Sequence, residues 1–196
     1  MFTGIIQDIG SISHSNNGMY KVSTNLDLSD CKEGSSISCN GVCLTANNIS
    51  KINNSYNFNV NIGEETLYRT NLGNVIKNNQ KINIEKSLKI GDEIGGHFVY
   101  GHVDTITSIV NIEKLGNSWE YYFSKNFLNN NKFIVEKASI SINGISLTIA
   151  KVTKETFVIS VINHTYNNTN LKYLSIHDMV NVEFDYLARF TSNHEN

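Results

Sequence analysis

The chain carries one sequence pattern twice. The segment NGVCLT at residues 40–45 recurs as NGISLT at residues 143–148, with Cys43 exchanged for Ser146. Further matches follow in the same order, such as TNL at 70–72 and 169–171, and the separations between matched positions drift only from 97 to 103 residues. Solenoid repeats are shorter, roughly 20 to 50 residues, and occur three or more times. The chain is therefore predicted to contain two copies of one domain.

Within each copy the residues alternate between apolar and polar. Examples are SSISCNGVCLTA, YNFNVNI, ASISINGISLTIA and TFVISVI, separated by breaks rich in Asn, Gly and Lys. Alternation over short segments that recur about every ten residues predicts antiparallel sheets closing into small barrels. Helices are expected to be few, with candidates at TLYRTNLG (66–73), SKNFLNNNKFIV (124–135) and FDYLARFTSN (184–193).

The fold class predicted is all-β: two similar six-stranded antiparallel β-barrels from an internal duplication, plus a short C-terminal α-helix. The expected domains are residues 1–97, residues 98–186 and a C-terminal helix or tail at 187–196. The first boundary is set near GDEIGGHF (91–98), because Gly95 and Gly96 provide flexible backbone there.

Composition restricts the kinds of partner that the protein can bind and indicates its cellular compartment. A net charge of −2 and a pI near 6.3 argue against nucleic-acid binding and against a polybasic membrane patch. No apolar run is long enough to span a membrane, and the start does not resemble a signal peptide, so the cytoplasm is expected. Cys31, Cys39 and Cys43 are odd in number and form no C-x-x-C pair. That pattern is typical of reduced thiols and not of a disulfide framework or a zinc site.

Several side chains could carry chemistry. A lone Cys43 is usually a small buried hydrophobic residue, but the second copy has a hydroxyl, Ser146, at the equivalent place, which suggests that both groups face a ligand. His97 and His102 have the wrong spacing for one helix face, so each is either a general acid or base or a turn residue. Lys137, just before the second motif strand, is either a solvated lysine or a ligand contact.

Threonines recur at equivalent places in both copies, as Thr45 with Thr148 and Thr66 with Thr165. Hydroxyl groups near backbone N–H groups suit a polar planar heterocycle or a polyol. No glycine-rich phosphate loop, dinucleotide-binding fingerprint or nucleophile elbow is present. The residues alone therefore indicate a duplicated β-barrel with matching polar pockets.

Five motifs in series, MFTGII, NGVCLT, EETLYRTNLG, GDEIGGHFVYGHVD and NGISLT, resemble the riboflavin synthase family of the trimeric, lumazine-binding repeat type. The resemblance covers roughly residues 1–190. It implies a reaction without metal or cofactor, in which two molecules of 6,7-dimethyl-8-ribityllumazine exchange a four-carbon unit to give riboflavin and 5-amino-6-(D-ribitylamino)uracil. It further implies a homotrimer with sites between subunits, and lumazine synthase as a partner.

The resemblance also assigns roles to residues of this chain. The catalytic candidates are His102 as the main acid or base, with Cys43, Ser146, Thr148 and the Asn143 position. The N-terminal pocket is expected to be lined by Gly4, Ile5, Ile6, Cys43, Leu44, Thr45, Asn61, Ile62, Gly63, Glu64, Glu65 and Thr66. The C-terminal pocket is expected to be lined by Ser146, Leu147, Thr148, Ser160, Val161, Ile162, Asn163, His164 and Thr165. Gly101 and Val103 flank His102 as ligand contacts, and Lys137 is expected to reach the ligand of the neighbouring subunit.

Three positions depart from the family pattern. Asn143 stands where the family commonly has Asp, which removes one possible proton acceptor. Asn163 replaces a usual proline, and Thr105 a common glycine.

Two rival functions stay open. One is a non-catalytic lumazine- or flavin-binding protein of the same fold, since fold alone does not fix function. The other is a double-barrel flavin reductase, which would need a phosphate-binding motif. Because both copies retain polar pocket residues, catalysis is the favoured interpretation.

Overall fold

A computed structural model of the chain describes residues 1–15, 18–126 and 131–188. The strands of the first half are β1 Asp8–His14, β2 Tyr20–Thr24, β3 Ser36–Cys39, β4 Val42–Thr45, β5 Asn47–Ile52, β6 Ser55–Val60 and β7 Lys81–Lys86. Two short helices, α1 Glu64–Arg69 and α2 Leu72–Lys77, lie between β6 and β7.

The second half repeats this order of elements. Its strands are β8 Thr105–Leu115, β9 Ser118–Ser124, β10 Ser139–Ile142, β11 Ile145–Val152, β12 Thr156–Ile162 and β13 Met179–Phe184. Helix α3 Asn163–Asn168 corresponds to α1, and 3-10 turns occur at Asn131–Phe133 and Asn170–Tyr173.

Both halves are antiparallel, and the second is a closed six-stranded barrel of order β10-β11-β12-β9-β8-β13. The first is a curled seven-stranded sheet of order β4-β3-β7-β1-β2-β6-β5. Its two edge strands are consecutive in the chain and separated only by Ala46, so together they correspond to the continuous strand β11. The interruption lies beside a register irregularity between Asn47 and Ser50 and a left-handed Asn48 (φ 50°). The expected pair of similar barrels is confirmed, with one strand of the first barrel broken in two.

Each half has its own hydrophobic core, because alternate residues of its strands point inward. The first core includes Val22, Phe58 and Ile82, and the second includes Phe123 and Phe157, all of them fully buried. The two cores explain how one chain of this length supports two folded units.

Helices were predicted at three places. Helices α1 and α2 confirm the one at 66–73. Only a 3-10 turn at Asn131–Phe133 is described within the candidate at 124–135, since residues 127–130 lie outside the described ranges. Residues 186–188 are helical, and the rest of the C-terminal helix expected at 187–196 falls outside the described residues.

The repeated Asn-Gly pairs form the turns between β3 and β4 and between β10 and β11. All four residues are left-handed, with φ of 52° and 77° at Asn40 and Gly41, and 48° and 80° at Asn143 and Gly144. Two left-handed residues define the type I′ turn that favours Asn-Gly in tight hairpins. The two turns touch: a Cβ added to Gly41 would lie only 2.6 Å from the backbone nitrogen of Gly144.

A network of buried asparagines surrounds this contact and joins the halves. Its members are at most 2% exposed and come equally from the two copies: Asn40, Asn71, Asn83, Asn143, Asn170 and Asn181. The side-chain amide of Asn83 donates to the Asn143 carbonyl (2.9 Å), and that of Asn181 donates to the Asn40 carbonyl (2.8 Å). Buried amides cost free energy unless they are paired, so these bonds fix one relative arrangement of the halves.

Replacing Gly41 with alanine is expected to destabilise the chain by about 2 to 5 kcal/mol, because it adds left-handed strain and a backbone clash. Gly116→Ala is the matched control, since Gly116 is also left-handed (φ 57°) but a Cβ there meets open space. Its expected cost is about 1 to 2 kcal/mol from strain alone. Urea unfolding measures both, and equal losses would contradict the turn-to-turn contact.

Candidate active site

The segments that lead into the two halves each cross to the other half. Residues 2–6, called the first arm, and residues 99–103, called the second arm, are joined by paired backbone hydrogen bonds between Phe2 and Val99 (2.7 and 3.0 Å). The carbonyl of Gly4 accepts from the Ser146 N–H at 2.8 Å. We call β4 and β11, which carry the repeated NGVCLT and NGISLT segments, the motif strands. The first arm covers the motif strand of the second half.

The second arm covers the motif strand of the first half in the same way. The carbonyl of Gly101 accepts from the Cys43 N–H at 2.9 Å. Gly101 is left-handed (φ 77°), and a Cβ on it would lie 2.6 Å from the Cβ of Cys43. Only glycine allows this approach at that backbone conformation.

The first pocket is a cavity of about 250 Å³ between helix α1, strand β4 and the second arm. It brings together several predicted ligand residues, namely Cys43, Glu65, Thr66, Gly101, His102 and Val103, and adds Val42, Arg69 and Thr70. Arg69 binds Glu65 in an exposed i,i+4 ion pair (2.9 Å). The pocket offers a thiol, hydroxyls, an imidazole and a guanidinium around one opening.

The second motif strand carries a histidine–serine contact. The Nδ1 atom of His97 lies 2.7 Å from the Oγ of Ser146. Burial lowers the pKa of His97, and the Asp185 carboxylate partly opposes this effect. The neutral ring can accept the hydroxyl proton of Ser146 in a hydrogen bond, which is the arrangement of a general base beside a protic group.

A second cavity, of about 320 Å³, has His97 in its lining. It is lined by Ile94, Gly96, His97, Phe98, Tyr100, Ser139, Asp185, Tyr186 and Leu187. Ser139 pairs directly with Thr148 across strands β10 and β11, so the predicted Thr148 lies next to this cavity. Its mixture of apolar side chains with a few polar groups suits a small organic ligand.

The first arm, expected beside the Cys43 pocket, lies against the second half in this structure. Gly4 contacts Ser146 and Ile6 packs against the second core, whereas Val103 packs against the first core. The physical reason is the crossing of the arms, which exchanges the leading segments between pockets.

The side chain of Asn143, predicted to be catalytic, is fully buried within the network that joins the halves. Its Oδ1 accepts from the Asn181 N–H (2.8 Å) and from the Asn71 amide (3.2 Å), while its Nδ2 has no hydrogen-bond partner among the described residues. The position needs an acceptor only, and a carboxylate would also satisfy both donors. An Asp at this position, as the resemblance implies for the family, would therefore act within the same inter-half network.

Other predicted ligand residues are spread over the surroundings. Leu44 and Val161 are buried in the cores, so their side chains are unavailable to a ligand. Ile5 is exposed on the first arm, and Leu147 packs against the second core. Exposed or half-exposed residues near α1, α3 and the strand ends are Thr45, Asn61, Ile62, Gly63, Glu64, Ser160, Ile162, Asn163, His164 and Thr165.

Lys137 has an unusual backbone. It is exposed and left-handed (φ 70°), and the equivalent residue of the first half is a left-handed glycine, Gly34 (φ 87°). A non-glycine residue pays strain in this region, and such strain is concentrated at functional positions.

Sequence reasoning missed the two buried glutamates that hold the arms. Glu85 on β7 accepts from Thr3 and Gly4, and Glu183 on β13 accepts from the second arm. Burial raises the pKa of Glu183 to about 7, although three backbone N–H donors oppose the shift. The available signal was an acidic residue repeated at the same place in two corresponding strands, KINIEK and MVNVEF.

Two other kinds of feature are absent from the described ranges. Among these residues no group of three or more His, Cys, Asp or Glu could hold a metal ion. None of the described helices combines the length and the apolar character that a membrane crossing requires.

Comparison with known proteins identifies the family of this chain. The lumazine binding domain model matches residues 3–87 and 100–185. Riboflavin synthase of Actinobacillus pleuropneumoniae is 38% identical over 194 residues, covering 97% of this chain and 87% of that protein. The chain belongs to the riboflavin synthase family. Riboflavin synthase of Schizosaccharomyces pombe is 35% identical over 196 residues (97% and 92% covered), and that of Bacillus subtilis is 35% identical over 194 residues (97% and 87% covered).

Solved structures agree on the fold of this riboflavin synthase family member. LumP complexed with riboflavin has a TM-score of 0.76 at 23% identity, covering 94% of this chain and 99% of that one. LumP complexed with 6,7-dimethyl-8-(1′-D-ribityl)lumazine has a TM-score of 0.74 at 22% identity, covering 93% and 98%. At this identity the likeness supports the duplicated architecture alone.

The pKa of His97 is expected to lie below its usual value of 6.5, because the ring is buried. Stability contributed by this group should then fall as the pH drops below 6.5, since the unfolded chain takes up the proton first. NMR titration of the ring measures the pKa directly. Asp185→Asn should lower it further, and a wild-type value at or above 6.5 would contradict the buried, neutral ring.

Proposed function

We propose that this chain is a riboflavin synthase, a transferase that dismutates two molecules of 6,7-dimethyl-8-ribityllumazine. One molecule gives a four-carbon unit to the other, and the products are riboflavin and 5-amino-6-(D-ribitylamino)uracil. The relatives at 35 to 38% identity support the reaction. The observation that carries it on this chain is that both halves keep a protic side chain on the motif strand, Cys43 in one and Ser146 in the other, each beside an arm from the opposite half.

The chemistry requires a base for the acidic 7-methyl group of the lumazine and hydrogen-bond donors for the charge that spreads over its ring. The His97–Ser146 pair supplies a neutral imidazole and a hydroxyl at 2.7 Å, which suits proton transfer beside the second cavity, where His97 is a lining residue. At the other pocket, Cys43 and His102 line the same cavity and offer a second protic group and a second imidazole. Catalysis is assigned to these four residues, with Thr148 as a supporting hydroxyl.

Orientation of the two substrates supplies a further part of the rate. Holding two reactants in one geometry can lower a barrier by about 7 to 11 kcal/mol at best. Duplicated pockets suit this task, because both reactants are the same molecule and each needs a similar binding surface.

The reacting pair is proposed to form between subunits of a homotrimer. These two cavities share no lining residue. Their volumes, about 250 and 320 Å³, lie below and at the lower end of the roughly 300 to 1,000 Å³ of typical ligand pockets. Ile94 and Phe98 of the second cavity are exposed and offer apolar surface for a neighbouring copy. The cytoplasm as location and lumazine synthase as a partner are part of the same proposal.

Purified protein is expected to convert the lumazine into riboflavin without added metal or nucleotide, as followed by flavin absorbance. Cys43→Ala and Ser146→Ala should each lower kcat by about 10² or more, the usual contribution of a proton-transfer group. Cys31→Ala is the control, since Cys31 lies outside both pockets and should leave kcat unchanged. Tight binding without turnover would identify the non-catalytic lumazine-binding alternative.

Mixing the two inactive variants tests whether sites are shared between copies. After joint refolding, an interface that combines the intact pocket of each variant should form in about a quarter of random pairings, restoring activity to that extent. Mixtures as inactive as the separate variants would contradict a site built from two subunits.

Lys137→Gly is expected to lower activity while leaving stability equal or higher. Glycine removes the left-handed strain at this position, worth about 1 to 2 kcal/mol, and also removes the ammonium proposed to reach the neighbouring ligand. Steady-state kinetics and urea unfolding measure the two effects on the same sample. A stability loss with unchanged kinetics would assign Lys137 a structural role instead.

A further inference from the structure

Two buried glutamates occupy corresponding places in the halves. Glu85 on β7 is 3% exposed and Glu183 on β13 is 5% exposed. Neither takes part in a salt bridge among the described residues. A carboxylate buried without a cation is costly unless hydrogen bonds replace its water, so the donors around each glutamate carry structural information.

Backbone donors surround Glu183. The N–H groups of Tyr100, Gly101 and His102 donate to its two carboxylate oxygens at 2.7, 2.9 and 3.0 Å. Three successive N–H groups directed at one carboxylate make an anion-binding concavity of the kind formed by backbone nests. The side chain of Glu183 therefore binds the backbone of the second arm, independently of the side chains that the arm carries.

Glu85 holds the first arm in a related way. The N–H and the hydroxyl of Thr3 donate to one oxygen at 2.8 and 3.0 Å, and the Gly4 N–H donates to the other at 3.1 Å. Both glutamates bind their arm at the place where the arm contacts a motif strand. Gly4 lies against Ser146, and Gly101 lies against Cys43.

We propose that Glu183 and Glu85 are positioning residues that act on different pockets: Glu183 sets the second arm against Cys43, and Glu85 sets the first arm against Ser146. Each carboxylate belongs to one half and, through its arm, shapes the pocket of the other half. Their effect on turnover rests on the proposed function, whereas their effect on the arms is independent of it.

Thiol reactivity of Cys43 reports the second arm without reference to catalysis. The experiment uses the full chain with Cys31→Ser, because Cys39 is fully buried and Cys43 then is the remaining accessible thiol. In Glu183→Gln, one carboxylate oxygen is replaced by an amide NH2 group, which cannot accept from the N–H groups of the second arm. The second arm should therefore be held less tightly. The rate of Cys43 modification by Ellman's reagent should rise about tenfold, on the scale of lost charge-assisted hydrogen bonds.

Glu85→Gln is the matched control, since it has the same chemistry at the equivalent place. The rate of Cys43 modification should stay within about twofold of the rate without this substitution, because Glu85 binds the first arm, which lies at the other pocket. Equal acceleration by both variants would show general loosening and overturn the proposal. Unchanged reactivity in Glu183→Gln would overturn it as well.

Glu183→Asp covers the case in which the glutamine variant does not fold. Aspartate keeps the charge but is one methylene shorter, so it should accelerate Cys43 modification to an intermediate degree, and wild-type reactivity would overturn the proposal. Turnover is then measured on the same variants: both Gln variants should lower kcat, and Glu183→Asp should recover part of it. If the wild type makes no riboflavin, the proposed function fails while the thiol result still decides the role of Glu183.

Discussion

The contact between the two Asn-Gly turns is the constraint on which the rest of the structure depends. Gly41 and Gly144 meet so closely that neither has room for a side chain. Around them the asparagine amides pair across the two halves, as in the bond from Asn71 to Asn143 (3.2 Å). Apolar contacts alone would allow the barrels to slide, whereas directional bonds in a buried place select one arrangement.

This arrangement places the motif strands so that the arms can cross. Strand β4 starts directly after one turn and strand β11 directly after the other. Cys43 and Ser146 therefore come at the same short distance in sequence from the contact, each under the arm of the other copy. Neither half holds a complete pocket by itself, which gives a physical reason for keeping both copies in one chain.

Much of this could be predicted from the sequence. The duplication, the barrel class, the family and the ligand role expected for Cys43, Thr66 and His102 at one pocket all follow from residue patterns, because alternation and turn signals act locally. Repetition, however, was interpreted only as repetition of a binding site. Asn143 and Asn181 repeat because they join the halves, and a single sequence does not distinguish a residue kept for an interface from one kept for a ligand.

The sequence by itself determined that two copies of a β-barrel would form, where their Asn-Gly hairpins would turn, and to which family they belong. These features depend on residues close together in the chain, such as left-handed turn positions and alternating strands. Only the tertiary structure decided that the arms exchange, that His97 meets Ser146, and that Glu85 and Glu183 hold the arms. These contacts join residues 49 to 142 positions apart, the largest separation being that of Gly4 and Ser146, and local pattern carries no information on such pairs.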